Sequence, residues 1–326
     1  MNSPLDGKVI LLIGGTGSFG QKFTEIALKE YNPRIIRVFS RGELLQLQMA
    51  SKFHDDRLRF FIGDVRDRDR LYRAMQGVNI VIHAAALKQV PQLEYNPAEG
   101  IKTNIEGSLN VCDCAIDCGV EKVIGISSDK AVHPVNLYGM TKAVMERLFT
   151  QANIYSKGKT TFSCTRYGNV IGSRGSVIPL FLEQKKTGTI TVTDERMTRF
   201  WITLSQGVHF VINCLSMMRG GEIFVPIIPS TSIMDLVNAI APGCEPVNIG
   251  IRPGEKLHEL LISEDEARHA KQIEDCYIIM PEFPFWTEDS YFDMTEGALP
   301  ENFRYSSETA RKLTIDEIKG LIKEVN

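Results

Sequence analysis

The sequence predicts an α/β protein built on a doubly wound parallel sheet, with a smaller C-terminal lobe. Three observations carry that expectation. Val9-Ile10-Leu11-Leu12-Ile13 is an unbroken apolar run of strand length, the pattern of a strand covered on both faces. It runs directly into a glycine-rich turn, Gly14-Gly15-Thr16-Gly17-Ser18-Phe19-Gly20, and then into a helical pattern from Phe23 to Tyr31. Further short apolar runs alternate with helical patterns through the first half of the chain, the rhythm of parallel strands joined by right-handed crossovers.

Taken in order, strands are expected at 8–13, 35–40, 58–62, 79–84, 121–127 and 161–167, with helices between them, including 42–53, 97–118 and 137–154. Beyond Tyr167 the rhythm loosens, and Gly168, Gly172, Gly175 and Pro179 mark a loop. A helix at 205–217 and a strand at 222–226 are expected to return to the sheet. The sheet domain is thus placed at 1–170, with about 205–226 rejoining it, and 171–326 mainly forms the lobe and tail. The stretch from Glu282 to Phe303, with Pro281, Pro284 and Pro300 in or beside it, reads as irregular, and Ile315 to Val325 as a terminal helix.

Composition narrows the function classes. Over 326 residues, 43% are apolar, enough for a sizeable core, and 37 basic against 40 acidic residues leave a net charge of -3. That balance offers neither a nucleic-acid surface nor a membrane-binding face. The longest apolar runs are strand-length, short of the roughly 20 residues a spanning helix needs. Met1 to Lys8 lacks the apolar core of a signal peptide. A cytoplasmic location is the expectation. Of the seven cysteines, Cys112, Cys114 and Cys118 fall in one helical pattern. Their spacing suggests metal, but no second His/Cys cluster accompanies it, so the reading is reduced thiols and no metal.

Two segments carry chemistry. In the first turn, Gly14, Gly17 and Gly20 permit a tight bend and close approach of backbone to a pyrophosphate at a helix N-terminus. The spacing is G-x-x-G-x-x-G. After the strand at 121–127 comes Ser127-Ser128-Asp129-Lys130, then Tyr138-Gly139-Met140-Thr141-Lys142. Tyr138 and Lys142 share one helix face a turn apart. An ammonium near a phenol lowers the phenol's pKa, and a phenolate near neutral pH can accept a hydroxyl proton while hydride leaves the same carbon.

Together these segments resemble the extended short-chain dehydrogenase/reductases, from Gly14 to about Arg252. Gly63-Asp64-Val65-Arg66-Asp67, His83-Ala84-Ala85-Ala86 and Asn104-x-x-Gly107-x-x-Asn110 match further family motifs. The resemblance implies a dinucleotide-binding domain at 1–170. It implies cofactor contacts from Gly14, Thr16, Gly17, Ser18, Phe19, Gly20, Ser40, Arg41, Asp64, Val65, Ala84, Ala85, Ala86, Lys88, Asn104, Tyr138 and Lys142. The second strand ends Val38-Phe39-Ser40-Arg41, with no carboxylate before Glu43. An acid there would hold ribose hydroxyls, whereas the Arg41 fork suits a 2′-phosphate. NADP is therefore favoured over NAD, the other reading being a solvated arginine opening a helix.

Asp129-Lys130, followed by Pro134, Asn136 and Tyr138, resembles the UDP-N-acetylglucosamine 4,6-dehydratases, in particular the C5-inverting type that starts pseudaminic acid synthesis. Supporting matches include Glu94-Tyr95-Asn96-Pro97, Arg166-Tyr167-Gly168-Asn169-Val170, Gly172-Ser173-Arg174-Gly175-Ser176-Val177, Met197-Thr198-Arg199-Phe200 and Arg252-Pro253-Gly254-Glu255-Lys256. Gln89 and His133 depart from the pattern near the expected mouth of the site; His133 is read as a half-exposed loop histidine, with an acid–base group as the other reading.

The resemblance implies catalytic roles for Ser128, Asp129, Lys130, Tyr138 and Lys142. Tyr138 would take the O4 proton. Lys130, its pKa lowered by burial and by neighbouring cations such as Lys142, would take the C5 proton, and protonated Asp129 would donate to the departing O6. Substrate contacts fall to Lys88, Asn169, Arg174, Val177, Arg199, Arg252 and Glu255; the arginines suit a diphosphate but serve equally as structural ion pairs. A UDP-sugar is the expected partner, with self-association through 97–118 and 137–154. The competing readings are a retaining dehydratase, a C4 epimerase and a non-catalytic NADP sensor.

Overall fold

The computed structural model describes residues 3–172, 177–283 and 297–323. Its order begins β1 (Val9–Ile13), α1 (Ser18–Glu30), β2 (Ile35–Ser40), α2 (Glu43–Phe53), β3 (Leu58–Ile62), α3 (Arg68–Met75) and β4 (Ile80–His83). Short helices α4 (Val90–Tyr95) and α5 (Pro97–Ile101) lead through a π-helical turn at Lys102–Glu106 into α6 (Gly107–Asp117). Then come β5 (Lys122–Ile126), α7 (Leu137–Ser156) and β6 (Thr161–Thr165). The second half holds β7 (Asn169–Ile171), α8 (Val177–Gln184), β8 (Thr189–Val192), β9 (Thr198–Thr203), α9 (Leu204–Met217), β10 (Ile223–Pro226), β11 (Ser230–Ser232), α10 (Ile233–Ile240) and β12 (Glu245–Asn248). It closes with β13 (Leu260–Ile262), α11 (Glu264–Ala267), β14 (Ala270–Ile273), β15 (Cys276–Ile279), β16 (Tyr305–Ser306) and α12 (Ile315–Lys323).

A nine-stranded sheet runs in the order β14-β15-β10-β6-β5-β4-β1-β2-β3. From β3 to β10 every pairing is parallel, while β15 pairs antiparallel with β10 and with β14. The expected strands all form, and β10 does return to the sheet beside β6. The hairpin of β14 and β15 was not foreseen, so the C-terminal region also extends this sheet. All five residues of β1 are buried, each full burial of such a side chain being worth roughly 1.5–3 kcal/mol. Apolar cores lie on both faces of the sheet. Strand order reverses between β1 and β4, which opens a crevice at the carboxyl ends of those strands.

The second lobe packs α8, α10 and α12 around Phe181, Trp201, Leu236 and Ile240. Here β7, β9 and β11 form a three-stranded sheet, and β8 pairs with β12. Pro179, expected in a loop, sits in the first turn of α8, where a missing N–H costs the helix nothing. Ser173 to Ser176, Pro284 to Glu296 and Val325 lie outside the described residues. The expected helix at 97–118 is interrupted by its π turn. All seven cysteines are free. Among the described residues no helix is long and apolar enough to cross a membrane, and no cluster of His, Cys, Asp and Glu is placed to hold a metal.

Candidate active site

The crevice holds a cavity of about 420 Å³ whose wall includes Gly14, Gly17, Ser18, Phe19, Gly20, Ala84, Ala86, Lys88, Gln89, Ser128, Asp129, Lys130, Tyr138, Lys142 and Asn169. Residues far apart in sequence are thus brought to one wall.

The glycine turn is shaped for a phosphate. A Cβ on Gly14 would stand 2.8 Å from the Ala85 nitrogen, and one on Gly20 would collide with the Gly15 carbonyl. α1 begins at Ser18 with Gly17 as cap and no acidic residue in its first turn. The positive end of the helix is therefore open to an anion at the cavity wall. These residues fit a dinucleotide pyrophosphate.

The adenosine side is less open. Arg41 lies 3.7 Å from Asp64, whose carboxylate also takes two donors of Arg66. Burial alone would raise Asp64, but bonding to Arg66 and the charge of Arg41 hold it below the usual range. The Ser40 hydroxyl accepts from Gln46. Val65 is buried beneath Gly107, and half-buried Ala85 packs against Gly14.

Asn104 acts through its neighbours. Its amide bonds the Leu87 N–H at 2.8 Å, the Leu87 carbonyl at 2.8 Å and Thr141 at 3.0 Å. Both of its N–H donors are used, and it does not border the cavity, so it is placed to fix Leu87 and Thr141 rather than to face the cavity. Its place in the π turn is a common use of that irregularity.

Gly139 explains how the reactive segment is assembled. A Cβ there would run into the Lys130 carbonyl oxygen, so only glycine lets α7 seat on the short turn of Asp129–Ala131. Asn136 caps α7 by accepting from Gly139 N–H at 2.8 Å and donates to the Gly254 carbonyl at 2.8 Å. Along this junction the Ser128 hydroxyl donates to Asp129 Oδ1 at 2.9 Å, and Lys130 Nζ donates to the same oxygen at 3.1 Å.

Electrostatics revises two expectations. Lys142 donates to the Ile126 carbonyl at 2.6 Å, and burial lowers its pKa to about 8. Burial raises Tyr138, the Lys130 charge opposes that, Asp129 reinforces it and a hydrogen bond with Ser128 opposes it; the net shift is upward. The cation acting on the phenol is therefore Lys130 rather than Lys142. Burial would lower Lys130, but the carboxylates of Asp129 and Glu259 outweigh it and hold the ammonium above its usual range. The expected lowering of Lys130 is overturned, because two carboxylates rather than Lys142 surround it. Burial raises Asp129, against the pull of Lys130.

Other expected residues separate. His133 is exposed with φ 42° and lines a different cavity with Ser263, Arg268 and Arg304, away from the reactive wall, so its acid–base reading fails. The Arg199 guanidinium donates to the carbonyls of Thr198, Leu257 and Lys256 at 2.7, 3.0 and 3.0 Å. Arg252 is exposed, 4.0 Å from Glu255. Arg199, Arg252, Glu255 and Val177 do not border the cavity, and Arg174 lies outside the described residues. The sequence reading missed Lys256 and Glu259, both beside Lys130. A signal was present: Glu259 is a lone carboxylate next to the apolar run Leu260-Leu261-Ile262, where it needs a partner.

The family model described as polysaccharide biosynthesis protein matches residues 10–281. The chain is 49% identical over 309 residues to the UDP-N-acetylglucosamine 4,6-dehydratase (inverting) of Campylobacter jejuni, covering 92% of each chain. It is 40% identical over 324 residues to a UDP-glucose 4-epimerase of Rickettsia rickettsii, covering 97% of this chain and 95% of the other. Among solved structures, Pen from Bacillus thuringiensis superposes with a TM-score of 0.89 at 39% identity over 98% of each chain.

Proposed function

The chain belongs to the polysaccharide biosynthesis protein family, on the fold of the extended short-chain dehydrogenase/reductases, and we propose that it is a UDP-N-acetylglucosamine 4,6-dehydratase that inverts C5. The observation that carries this reading is the Asp129–Lys130 pair, hydrogen-bonded at 3.1 Å on the cavity wall beside Ser128 and Tyr138. Removing water across C5 and C6 needs one base and one acid, and this pair supplies both.

Gly14, Gly17, Ser18 and Gly20 would hold the pyrophosphate of a nicotinamide dinucleotide, and Ser40 and Arg41 the 2′-phosphate of NADP. When bound, that cofactor supplies a hydride acceptor at the sugar's C4 and a hydride donor at C6. In its phenolate form, which the Lys130 charge and Ser128 favour against burial, Tyr138 accepts the O4 proton. Moving one proton along the existing bond from Lys130 Nζ to Asp129 Oδ1 turns an ion pair into an amine and a carboxylic acid. Burial disfavours charge on both groups, so filling the cavity with a sugar favours that transfer. The amine then takes the C5 proton, and the Asp129 carboxyl donates to O6. Lys88 and Asn169, both on the wall, contact the sugar nucleotide. The product is UDP-2-acetamido-2,6-dideoxy-β-L-arabino-hex-4-ulose, which fits the opening step of pseudaminic acid synthesis. Exposed Ile101, Leu109, Met140 and Val144 support self-association through α5 to α7.

A C4 epimerase is the second reading, favoured by the Rickettsia relative. An epimerase has no water to eliminate and no use for an acid–base pair at C5 and C6. Incubation with UDP-N-acetylglucosamine in D₂O, sampled early by mass spectrometry and NMR, tests both. Loss of one water, deuterium at C5 and L-arabino couplings are expected. A first product with D-xylo configuration means a retaining dehydratase, and an isomer of unchanged mass means an epimerase.

A further inference from the structure

The segment ahead of β13 places a carboxylate behind the reactive wall. Glu259 is 3% exposed. Its Oε1 lies 3.5 Å from Lys130 Nζ and 3.9 Å from Arg199 Nε, and its Oε2 lies 3.7 Å from Lys256 Nζ. Its backbone is fixed on both sides by Ser307, whose Oγ accepts from Glu259 N–H at 2.9 Å and whose N–H donates to the Glu259 carbonyl at 2.8 Å. Lys256 is itself tied to the Val132 carbonyl at 2.6 Å. One rigid carboxylate thus collects three cations, and only Lys130 among them borders the cavity.

We propose that Glu259 is a positioning residue that holds the Lys130 amine against Asp129 at the cavity wall and sets its charge. Lysine carries a compact charge on a flexible stem. Without Glu259, its side-chain hydrogen bond among the described residues is to its neighbour Asp129. The groups acting on it are Asp129 beside it, Tyr138 from α7, Arg199 from β9, Lys256 and Glu259 from the segment before β13, and Lys88, which also lines the cavity and senses its charge. When Lys130 releases its proton to Asp129, Arg199 and Lys256 still flank Glu259, so that carboxylate keeps its counter-charge.

The catalytic meaning rests on the dehydratase reading, whereas the charge on Lys130 can be measured without turnover. In the full-length protein with its own cofactor retained, competitive acetylation by acetic anhydride across pH, read by peptide mass spectrometry, reports the protonation midpoint of Lys130. Glu259→Gln keeps the shape and removes the charge, leaving Arg199 and Lys256 to repel the ammonium. The midpoint is expected to fall by about one pH unit or more. Dehydration kcat is expected to change with KM for the UDP-sugar nearly constant. Should Glu259→Gln not fold, Glu259→Asp withdraws the carboxylate by one methylene, and the midpoint is again expected to fall. An unchanged Lys130 midpoint in the folded variant overturns the proposal, whatever reaction the protein catalyses.

Discussion

The Lys142 ammonium donates a 2.6 Å hydrogen bond to the Ile126 carbonyl, where β5 ends. Lys142 therefore ties α7 to the sheet, and the cation that acts on the Tyr138 phenol is Lys130 across the junction. The pairing read from the i, i+4 spacing is a shared helix face, with the electrostatics supplied from elsewhere.

Burial holds Lys142 at about 8, against an ordinary 10.5. Between those values the unfolded chain binds more protons than the folded one, so stability rises with pH across that window. Below pH 8 the penalty is fully present. Lys142→Met is expected to gain most in urea midpoint relative to wild type at pH 7, with the gain shrinking toward pH 10.5. A difference independent of pH would show that the buried ammonium carries no penalty.

Tyr138→Phe removes the group proposed to accept the O4 proton and little else. A loss in kcat of about 10²–10⁴-fold is expected, with calorimetric affinity for the UDP-sugar nearly unchanged. Normal turnover would assign the proton to another base.

Lys130→Ala should separate the two halves of the reaction. Reduced-nicotinamide absorbance is expected to appear, more slowly because Tyr138 has lost its cation, and to persist, with no dehydrated product by mass spectrometry. A variant that still loses water would exclude Lys130 as the C5 base.

Cofactor released by denaturation and identified by mass is expected to be NADP. Arg41→Glu should weaken it in favour of NAD, because a carboxylate repels a 2′-phosphate and can accept from ribose hydroxyls. Asp64 at 3.7 Å already draws on Arg41, so Asp64→Asn should tighten NADP. Recovery of NAD alone from the wild-type protein would refute the role of Arg41.

Arg166 is 1% exposed and grips Glu146 on α7 and Glu266 on α11 through paired bonds of 2.7–3.0 Å. Arg166→Met leaves the buried Glu146 and the half-buried Glu266 carboxylates without their cation. A loss of about 3–5 kcal/mol in denaturant unfolding is expected. Replacing Glu146 and Glu266 by apolar residues as well should restore much of it. A single variant as stable as wild type would show that the pair contributes nothing.

The sequence by itself determined what is local. An apolar run such as Val9–Ile13 fixes a strand because each residue's environment repeats along its own segment. The glycine turn and the Asp129-Lys130 pair were legible for the same reason: their chemistry lies within one short stretch. Gly139 also stood in a recognised motif, although its reason, clearance for the Lys130 carbonyl, needed the packed helix. Tertiary structure alone decided what each charge faces. It turned Arg199 onto three carbonyls, moved His133 to another cavity, and set Glu259 within 3.5 Å of Lys130. A side chain's charge state follows from burial and from partners supplied by distant segments. No spacing along the chain encodes those partners, so the roles of Lys130, Lys142 and Glu259 emerge only when the sheet, α7 and the C-terminal lobe come together.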